Sequence, residues 1–252
     1  MAGRSFLGAG DLYINRFDPV TGIPTGKAGP FECSKFEIKP NTELKEATSK
    51  GKTTYGQVIS AVAIQKPADL TVVLTELDKD GLTLALLGTQ SVINQGSGSI
   101  TDEVLVAVHD KWVPTSKANF ATAGFVVKHT SGTPTYVLGT DYDVNYRMGW
   151  VRIKSTGAIA NSASLKVSGT YNATTGTRIA GATQAQVRAE IILDGINYDG
   201  GKPSICTAWE VLISPDTAFD FVADNFGSIS LKGRLTTPTG KTEPFEVRLL
   251  DG

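Results

Sequence analysis

The sequence is poor in the residue types that usually build catalytic and metal centres. Its 252 residues include only two histidines and two cysteines. His109 and His129 lie apart from any cysteine or carboxylate cluster, and the CxxC, HxxxH and HExxH spacings of metal sites are missing. The phosphate-binding loops and nucleophile motifs of common enzymes are missing too. We therefore expect no enzyme, no cofactor and no bound metal ion.

An excess of charge of one sign and long apolar runs are lacking as well. Lysine and arginine number 24 against 25 aspartates and glutamates, for a net charge of −1. Such a balance gives no basic surface for holding nucleic acid, so any contact with DNA should be passive. No run approaches the roughly 18 consecutive apolar residues of a membrane helix, and the start lacks the apolar segment of a secretory signal. We expect no membrane anchoring.

The two cysteines lie far apart in the sequence, each within an apolar segment. Cys33 and Cys206 are therefore expected to be buried, reduced thiols, with a disulfide between them as the alternative.

What the sequence does contain is strand-like alternation between many turns. In FECSKFEI, Phe36 and Ile38 face one way and the charged residues of the stretch face the other. The same period of two recurs in three later segments, which we interpret as strands of an antiparallel sheet with one buried face. The residues predicted to share a buried face are Val58, Ser60, Val62 and Ile64, then Val187, Ala189, Ile191 and Leu193, then Ile205, Trp209, Val211 and Ile213.

One segment departs from the period of two. In residues 77–88, LDKDGLTLALLG, Leu82 and Leu86 are four residues apart, Asp78 can cap the start of a helix and Gly88 can end it. We predict one short helix here and otherwise mostly strands.

A long polar segment at about 40–57 separates two of these strand-like regions. A tight hairpin would need only two to five residues, so the segment is predicted to be a protruding arm. Polar, glycine-rich stretches at 90–103 and 174–184 predict connectors. The expected domains are a core of residues 1–95 and 178–252 and an inserted β domain of residues 100–177.

Two further patterns admit a functional interpretation. Asp141-Tyr142-Asp143 superficially resembles a cation site but lacks the glycine and glutamate of a calcium loop, so a structural role is favoured. Trp112, Trp150 and Trp209 could stack against sugars, but they are scattered through the chain, which favours packing.

The order of these features resembles the tail tube proteins of long-tailed, siphovirus-like bacteriophages. The matching portions are GDLYI, the arm region 32–66, the run DLTVVLTELDKDGLTLALLGT (69–89) and the alternating block 187–250. The stretch TYVLGTDYDVNYRMGWVRIKSTGAI resembles a small accessory β domain of phage tails. The resemblance is one of pattern and order over most of the chain.

This resemblance implies a mainly β fold, a tail-tube-type β-sandwich or partial barrel with one short flanking helix and an inserted small β domain on the tube exterior. Hexameric rings would stack into a tube that conducts DNA into the host. The implied partners are further copies of the chain, a tape-measure protein, the tail-tip or baseplate proteins, a tail terminator and passing DNA. The protein would be assembled in the bacterial cytoplasm and reside in the virion.

Two sets of residues would carry that role. The arm would contact neighbouring subunits, remaining disordered until assembly, through Glu43, Leu44, Lys45, Glu46, Ala47, Lys50, Lys52 and Tyr55. Candidates for the lumen are the charged strand faces Lys35, Glu37, Lys39, Arg188, Glu190, Asp194, Glu246 and Arg248, for which outward exposure is the alternative. A carbohydrate-binding adhesin module, or another component of the virion tail, is the alternative to a tail tube.

Overall fold

A computed structural model describes residues 7–76, 78–222 and 227–250. Within these ranges there is one helix, α1 (Lys79–Ala85), and the remaining regular structure is β. The strands are β1 (Gly8–Phe17), β2 (Pro24–Thr48), β3 (Val58–Leu74), β4 (Thr89–Gln95), β5 (Gly98–Val106), β6 (Trp112–Pro114), β7 (Val126–His129), β8 (Tyr142–Asn145), β9 (Trp150–Ile153), β10 (Ser164–Tyr171), β11 (Thr174–Ala180), β12 (Val187–Asn197), β13 (Lys202–Pro215), β14 (Ile229–Leu235) and β15 (Phe245–Leu249). The prediction of a mainly β fold with one short helix is confirmed.

Six strands of the first unit close into a barrel. They are hydrogen-bonded in the order β12, β1, β2, β3, β14 and β13, and β13 pairs back to β12. The strand β13 also pairs with β15 through Ser204–Ala208, next to the stretch that pairs with β14. The fold is thus a closed barrel, more complete than the sandwich or partial barrel that was expected.

The barrel interior follows the predicted alternation. Val187, Ala189 and Ile191 of β12 are buried against Leu12 and Ile14 of β1 in one apolar core. Burying such side chains stabilises a fold by about 1.5–3 kcal/mol each, so the inward faces account for much of the barrel's stability.

The strand β13 deviates from the predicted alternation. Its pairing with β12 shifts between Ala189 and Ile191, which face Val211 and Ala208 respectively. The one extra residue of this bulge, where two residues of β13 oppose one of β12, places Ala208 inward, where it is fully buried, while Trp209 is only partly buried. The prediction that Trp209 shares the inward face of Val211 is wrong, because a bulge breaks the period of two.

The helix α1 begins and ends through local interactions. The Asp78 carboxylate accepts a hydrogen bond from the Gly81 amide at 2.7 Å, as an N-cap should. At the other end Leu87, rather than Gly88, adopts the left-handed conformation, with φ of 47°. Leu84 is the buried leucine of the helix, whereas Leu82 and Leu86 are only partly buried.

The second compact unit comprises residues 91–178. It contains two three-stranded sheets, β5-β10-β7 and β6-β9-β8. Its own core is formed by buried apolar residues that include Leu105, Val127, Val151, Ile153 and Leu165.

The two predicted connectors contain the boundaries between the two units, but they are strands for much of their length. Much of 90–103 lies in β4 and β5, and much of 174–184 lies in β11. Because β4 and β11 pair with each other, the chain leaves the barrel unit and returns to it along a two-stranded sheet. Their polar composition predicted connectors, and pairing between distant segments makes strands of them.

Candidate assembly interface

The predicted arm is an ordered β ribbon. The strands β2 and β3 stay paired from Asn41 and Lys66 out to Thr48 and Val58. The neighbouring strand β14 pairs with β3 only as far as Asp69. On the other side β1 pairs with β2 only through Pro24–Glu32. In the described part of the chain, both outer edges of the ribbon therefore lack a strand partner, and the expectation of an arm that is disordered before assembly is corrected.

The two strands of the arm differ in chemistry. The β2 side carries the charged residues, whereas the β3 side is apolar. Val58, Ile59 and Val62 are 51%, 70% and 58% exposed, and Ile64 is also exposed. The prediction that this stretch of β3 has a buried face is wrong, because no second layer or third strand from the described residues covers it. An exposed apolar strand at an unpaired edge is a surface on which another chain can bind.

Register divides the arm into two faces. Leu44 and Glu46 lie opposite Ala63 and Ala61 on one face. Glu43, Lys45 and Ala47 lie on the other face, opposite Ile64, Val62 and Ser60. Lys66 forms an ion pair with Glu43, which is exposed and therefore contributes little to stability. No ion pair is found for Glu46 or Lys45 among the described residues.

The tip of the arm is a hydrogen-bonded turn. The Ser49 amide donates to the Gln57 carbonyl at 2.7 Å, and the Gly56 amide donates to the Ser49 carbonyl at 2.9 Å. Lys50, Lys52 and Tyr55 lie within this turn and are exposed. The predicted arm residues therefore form one projecting element.

The predicted lumen residues lie on outward faces of the barrel. Lys35, Glu37 and Lys39 of β2 are exposed, and Lys35 pairs with Glu37 at 2.6 Å. Cross-strand register continues from Lys39 through Asp69 to Arg234. These outward rows are mixed in sign.

The remaining lumen candidates belong to β12 and β15. Arg188 pairs with Glu210 at 2.7 Å, and Arg248 pairs with Glu246 at 3.1 Å. Asn15 donates a hydrogen bond to Glu190 at 3.0 Å. Asp194 of β12 is opposite Ile205 of β13, which is in turn opposite Arg248 of β15. Asp194 and Arg248 therefore lie in one row across the three strands.

Sequence reasoning missed a cavity at the end of the barrel where β2 begins. Its volume is about 740 Å³, and its polar lining includes Arg16, Lys27, Asp80, Gln90 and Gln184. The apolar part of the lining is Ile14, Phe17, Pro19, Ala28, Phe31 and Leu84.

Arg16 is a charged residue of this lining with a partly buried side chain. It is opposite the fully buried Ala189, so it continues the inward series of Leu12 and Ile14. Its Nη2 donates to the Gln184 side chain at 2.9 Å and to the Gly88 carbonyl at 3.4 Å. Burial lowers the pKa of Arg16 below its usual value, and the Asp80 charge opposes that effect. A charge at an inward position of β1 was the signal in the sequence that could have found this site.

The comparison with known protein families gives a match over nearly the whole chain. Residues 5–244 match the family described as Protein of unknown function UCP028589. The chain belongs to this family. The match includes both the arm and the Arg16 cavity, although the family's description states no activity. No curated protein matches the chain.

The titratable residues singled out in the sequence have structural partners. Asp141 is buried and accepts amide hydrogen bonds from Val137 at 2.8 Å and Ala158 at 2.9 Å, which lower the pKa of its carboxyl. Asp143 forms ion pairs with Arg152 and Lys154. The described residues contain no group of three histidine, cysteine or acidic side chains that could hold a metal ion.

The two histidine rings have hydrogen-bonding neighbours, and the two cysteines are free thiols. The His109 ring lies 2.7 Å from the Ile159 carbonyl, and the His129 ring lies 2.8 Å from the Ser131 hydroxyl. Cys33 and Cys206 are free thiols, as predicted, but both are only partly buried. Burial raises the pKa of Cys206 to about 11, which leaves an unreactive thiol at neutral pH.

No helix in the described ranges has both the length and the apolar character needed to cross a membrane.

Proposed function

We propose that this protein is a structural component of a virion, which polymerises as stacked hexameric rings into the tail tube of a long-tailed bacteriophage. The tube would conduct DNA from the capsid into the host cell. The observation that carries the proposal is the projecting ribbon, whose apolar β3 side is exposed from Val58 to Ile64.

The exposed apolar side chains favour a contact with a second chain. Each Val, Leu or Ile side chain that becomes fully buried contributes about 1.5–3 kcal/mol. The arm exposes five such residues at an unpaired edge, namely Leu44, Val58, Ile59, Val62 and Ile64. A contact between one surface of a subunit and a different surface of the next can repeat without limit, which is the geometry that tubes and filaments require.

Unpaired backbone edges support the same proposal. The ribbon has two such edges, and β15 pairs with β13 on one side only within the described part of the chain. An edge strand offers free N–H and C=O groups to a strand of another subunit. Pairing of this kind around a ring would extend the sheet from one subunit to the next.

The outward charged faces suit a conduit for DNA. Lys39, Asp69 and Arg234 are neighbours of mixed sign, and Asp69 pairs with Arg234 at 3.4 Å. A surface on which cations are balanced by carboxylates binds phosphates weakly, so DNA could slide along it. The partners under this proposal are a tape-measure protein, tail-tip or baseplate proteins and a tail terminator.

Negative-stain electron microscopy of the purified protein, over a range of concentration and salt, tests the proposal. We expect rings with sixfold symmetry or hollow tubes, promoted by high salt because the arm contact is largely apolar. If the protein stays monomeric at high concentration, both alone and with tail-tip proteins, the proposal is wrong.

A carbohydrate-binding module is the second candidate, and one observation favours it. Trp112 lies on the edge strand β6 and is 42% exposed, with the Arg152 guanidinium 5.3 Å from its ring centre. An exposed indole beside polar groups can stack against a sugar. Calorimetric titration with bacterial cell-wall glycans would support this candidate if binding is lost in Trp112→Ala, and would exclude it for those glycans if no heat of binding is observed.

A further inference from the structure

The cavity around Arg16 contains charged groups that are not matched to one another. No ion pair is found for Arg16 or Lys27 among the described residues. Among the described residues, only one of the three guanidinium nitrogens of Arg16, Nη2, has hydrogen-bond acceptors. The Nε and Nη1 atoms are not among the fully buried atoms that lack a partner, so they are open to solvent and free to bind a further acceptor.

The two carboxylates of the cavity are held by neutral donors instead. Asp80 accepts a hydrogen bond from the Gln90 side chain at 2.7 Å. Asp18 accepts hydrogen bonds from the amides of Val20 and Thr21 and from the Thr21 hydroxyl, all within its own turn. Neither carboxylate is within ion-pair distance of Arg16, so the free N–H groups are available to an acceptor from outside the described part of this chain.

The arm carries a side-chain pair of matching chemistry. Leu44 is 59% exposed, and Glu46 follows on the same face two residues later. Residues i and i+2 of a strand are about 7 Å apart. An apolar side chain and a free carboxylate at this spacing match a cavity that has an apolar wall and one unmatched guanidinium.

The arm of the same subunit cannot reach the cavity. The cavity is lined by Thr25–Ala28 at the beginning of β2, and the arm is the far end of the same strand. The sixteen residues from Ala28 to Leu44 span roughly 50 Å along a strand. A contact between the two surfaces has to join two copies of the chain from head to tail.

We propose that the Arg16 cavity binds the arm of a second copy of this chain, with Leu44 against the apolar wall and the Glu46 carboxylate accepting hydrogen bonds from Arg16. This inference rests on the proposed function, since it identifies the receptor for the arm within a head-to-tail stack. Because the arm and the cavity lie at opposite ends of β2, every subunit would use both surfaces, as an extending assembly requires.

A charge exchange tests the contact. The variants are Arg16→Glu, Glu46→Arg and the double variant, with Lys111→Glu as the charge-reversal control because Lys111 is exposed and belongs to neither the arm nor the cavity. Assembly is measured by sedimentation and negative-stain microscopy as the lowest protein concentration that gives rings or tubes. Each single exchange is expected to raise that concentration at least about tenfold, the double variant to recover most of the loss, and the control to stay within about twofold of the wild type.

Glu46→Arg alters an exposed residue of the arm, so its effect cannot arise from unfolding of the barrel. If Arg16→Glu does not fold, the milder pair Arg16→Gln and Glu46→Gln replaces it. Glu46→Gln should then weaken assembly in the wild type but have no additional effect in Arg16→Gln.

The results that would overturn the Arg16–Glu46 contact differ from those that would overturn the proposed function. A wild type that assembles, together with single variants that assemble equally well or a double variant no better than either, overturns the Arg16–Glu46 contact and leaves the tail tube proposal standing. A wild type that forms neither rings nor tubes overturns the proposed function and this inference with it.

Discussion

The hairpin of β2 and β3 has two halves that share a pattern but not an environment. In the barrel half, Leu70, Val72 and Leu74 are at most 2% exposed. In the arm half, Val62 and Ile64 keep the same spacing in the sequence but lie beyond a register shift between Asp69 and Lys66, and they are exposed. The difference arises from the neighbours, since β14 pairs with β3 only between Asp69 and Leu74. The arm thus carries apolar side chains that a single copy of the chain does not bury. This is expected if a second chain covers them.

Removing the arm should separate folding from assembly, and it is the largest effect that we expect. Thr42 and Gln65 are opposite each other, so replacing residues 43–64 with an Asn-Gly turn joins two residues that are already paired. We expect the circular dichroism spectrum and the melting temperature to stay near those of the wild type, while rings and tubes disappear in electron microscopy. Normal tubes from this variant would show that the exposed apolar stretch has no role in assembly.

Truncating one apolar side chain in each half gives a matched pair of variants. Leu74→Ala removes a fully buried side chain from the barrel core and should lower the free energy of unfolding by about 2–5 kcal/mol. Val62→Ala, on the exposed half, should change it by less than about 0.5 kcal/mol. Urea unfolding of the unassembled protein, followed by circular dichroism, measures both. Equal losses would mean that the arm is packed against something in the monomer.

The second unit offers a buried polar side chain, Asp141, for the same kind of test. Asp141 is buried, and its hydrogen bonds from Val137 and Ala158 hold the pKa of its carboxyl below the usual value. Its contribution to stability is therefore fully present above the ordinary aspartate pKa of about 4 and is lost as the pH falls through the lowered folded value. Asp141→Asn should lower the free energy of unfolding of this unit by about 2 kcal/mol at pH 7.

The pH dependence provides the check on that prediction. The difference between wild type and Asp141→Asn should narrow as the pH falls below about 4, where the unfolded wild type takes up a proton, until the pH has passed through the lowered folded pKa. Urea titrations of both proteins at several pH values, followed by the fluorescence of Trp112 and Trp150, measure this difference in the free energy of unfolding. A difference that does not change with pH would mean that the charge of Asp141 is unimportant.

The smallest effect is expected for the exposed ion pair of the arm. Glu43→Gln removes the partner of Lys66, and both side chains are exposed. The free energy of unfolding should fall by no more than about 0.5 kcal/mol, and the difference should vanish in 1 M salt, where the screening length is about 3 Å. A loss of more than about 1 kcal/mol in urea unfolding would contradict the view of the arm as a solvated ribbon.

The sequence predicted those features that depend on near neighbours. Asp78 and the leucine spacing are sufficient for the helix, since capping is local. The alternation of Phe36 with Glu37 is sufficient to divide β2 into faces, and the same holds for β12.

Features that depend on distant partners were missed or wrongly predicted. The residues Val58–Ile64 read as a buried strand because alternation gives the face of a side chain but not what lies over it. The bulge at Trp209 depends on how β13 pairs with β12, and the order in 90–103 depends on the pairing of β4 with β11 and of β5 with β10. Arg16 is the exception, because its charge at an inward position of β1 could have been noticed in the sequence.

The paired strands β4 and β11 have a consequence for how the second unit is accommodated. Residues on adjacent paired strands are about 5 Å apart, so the chain leaves and re-enters the barrel unit at neighbouring positions. For the barrel, an excursion of 88 residues, from Ser91 to Arg178, is equivalent to a single hairpin turn. A chain segment attached in this way can be lengthened, shortened or exchanged without drawing the strands on either side of it apart, so this position serves as an insertion point at which the protein can acquire new domains while its barrel stays the same.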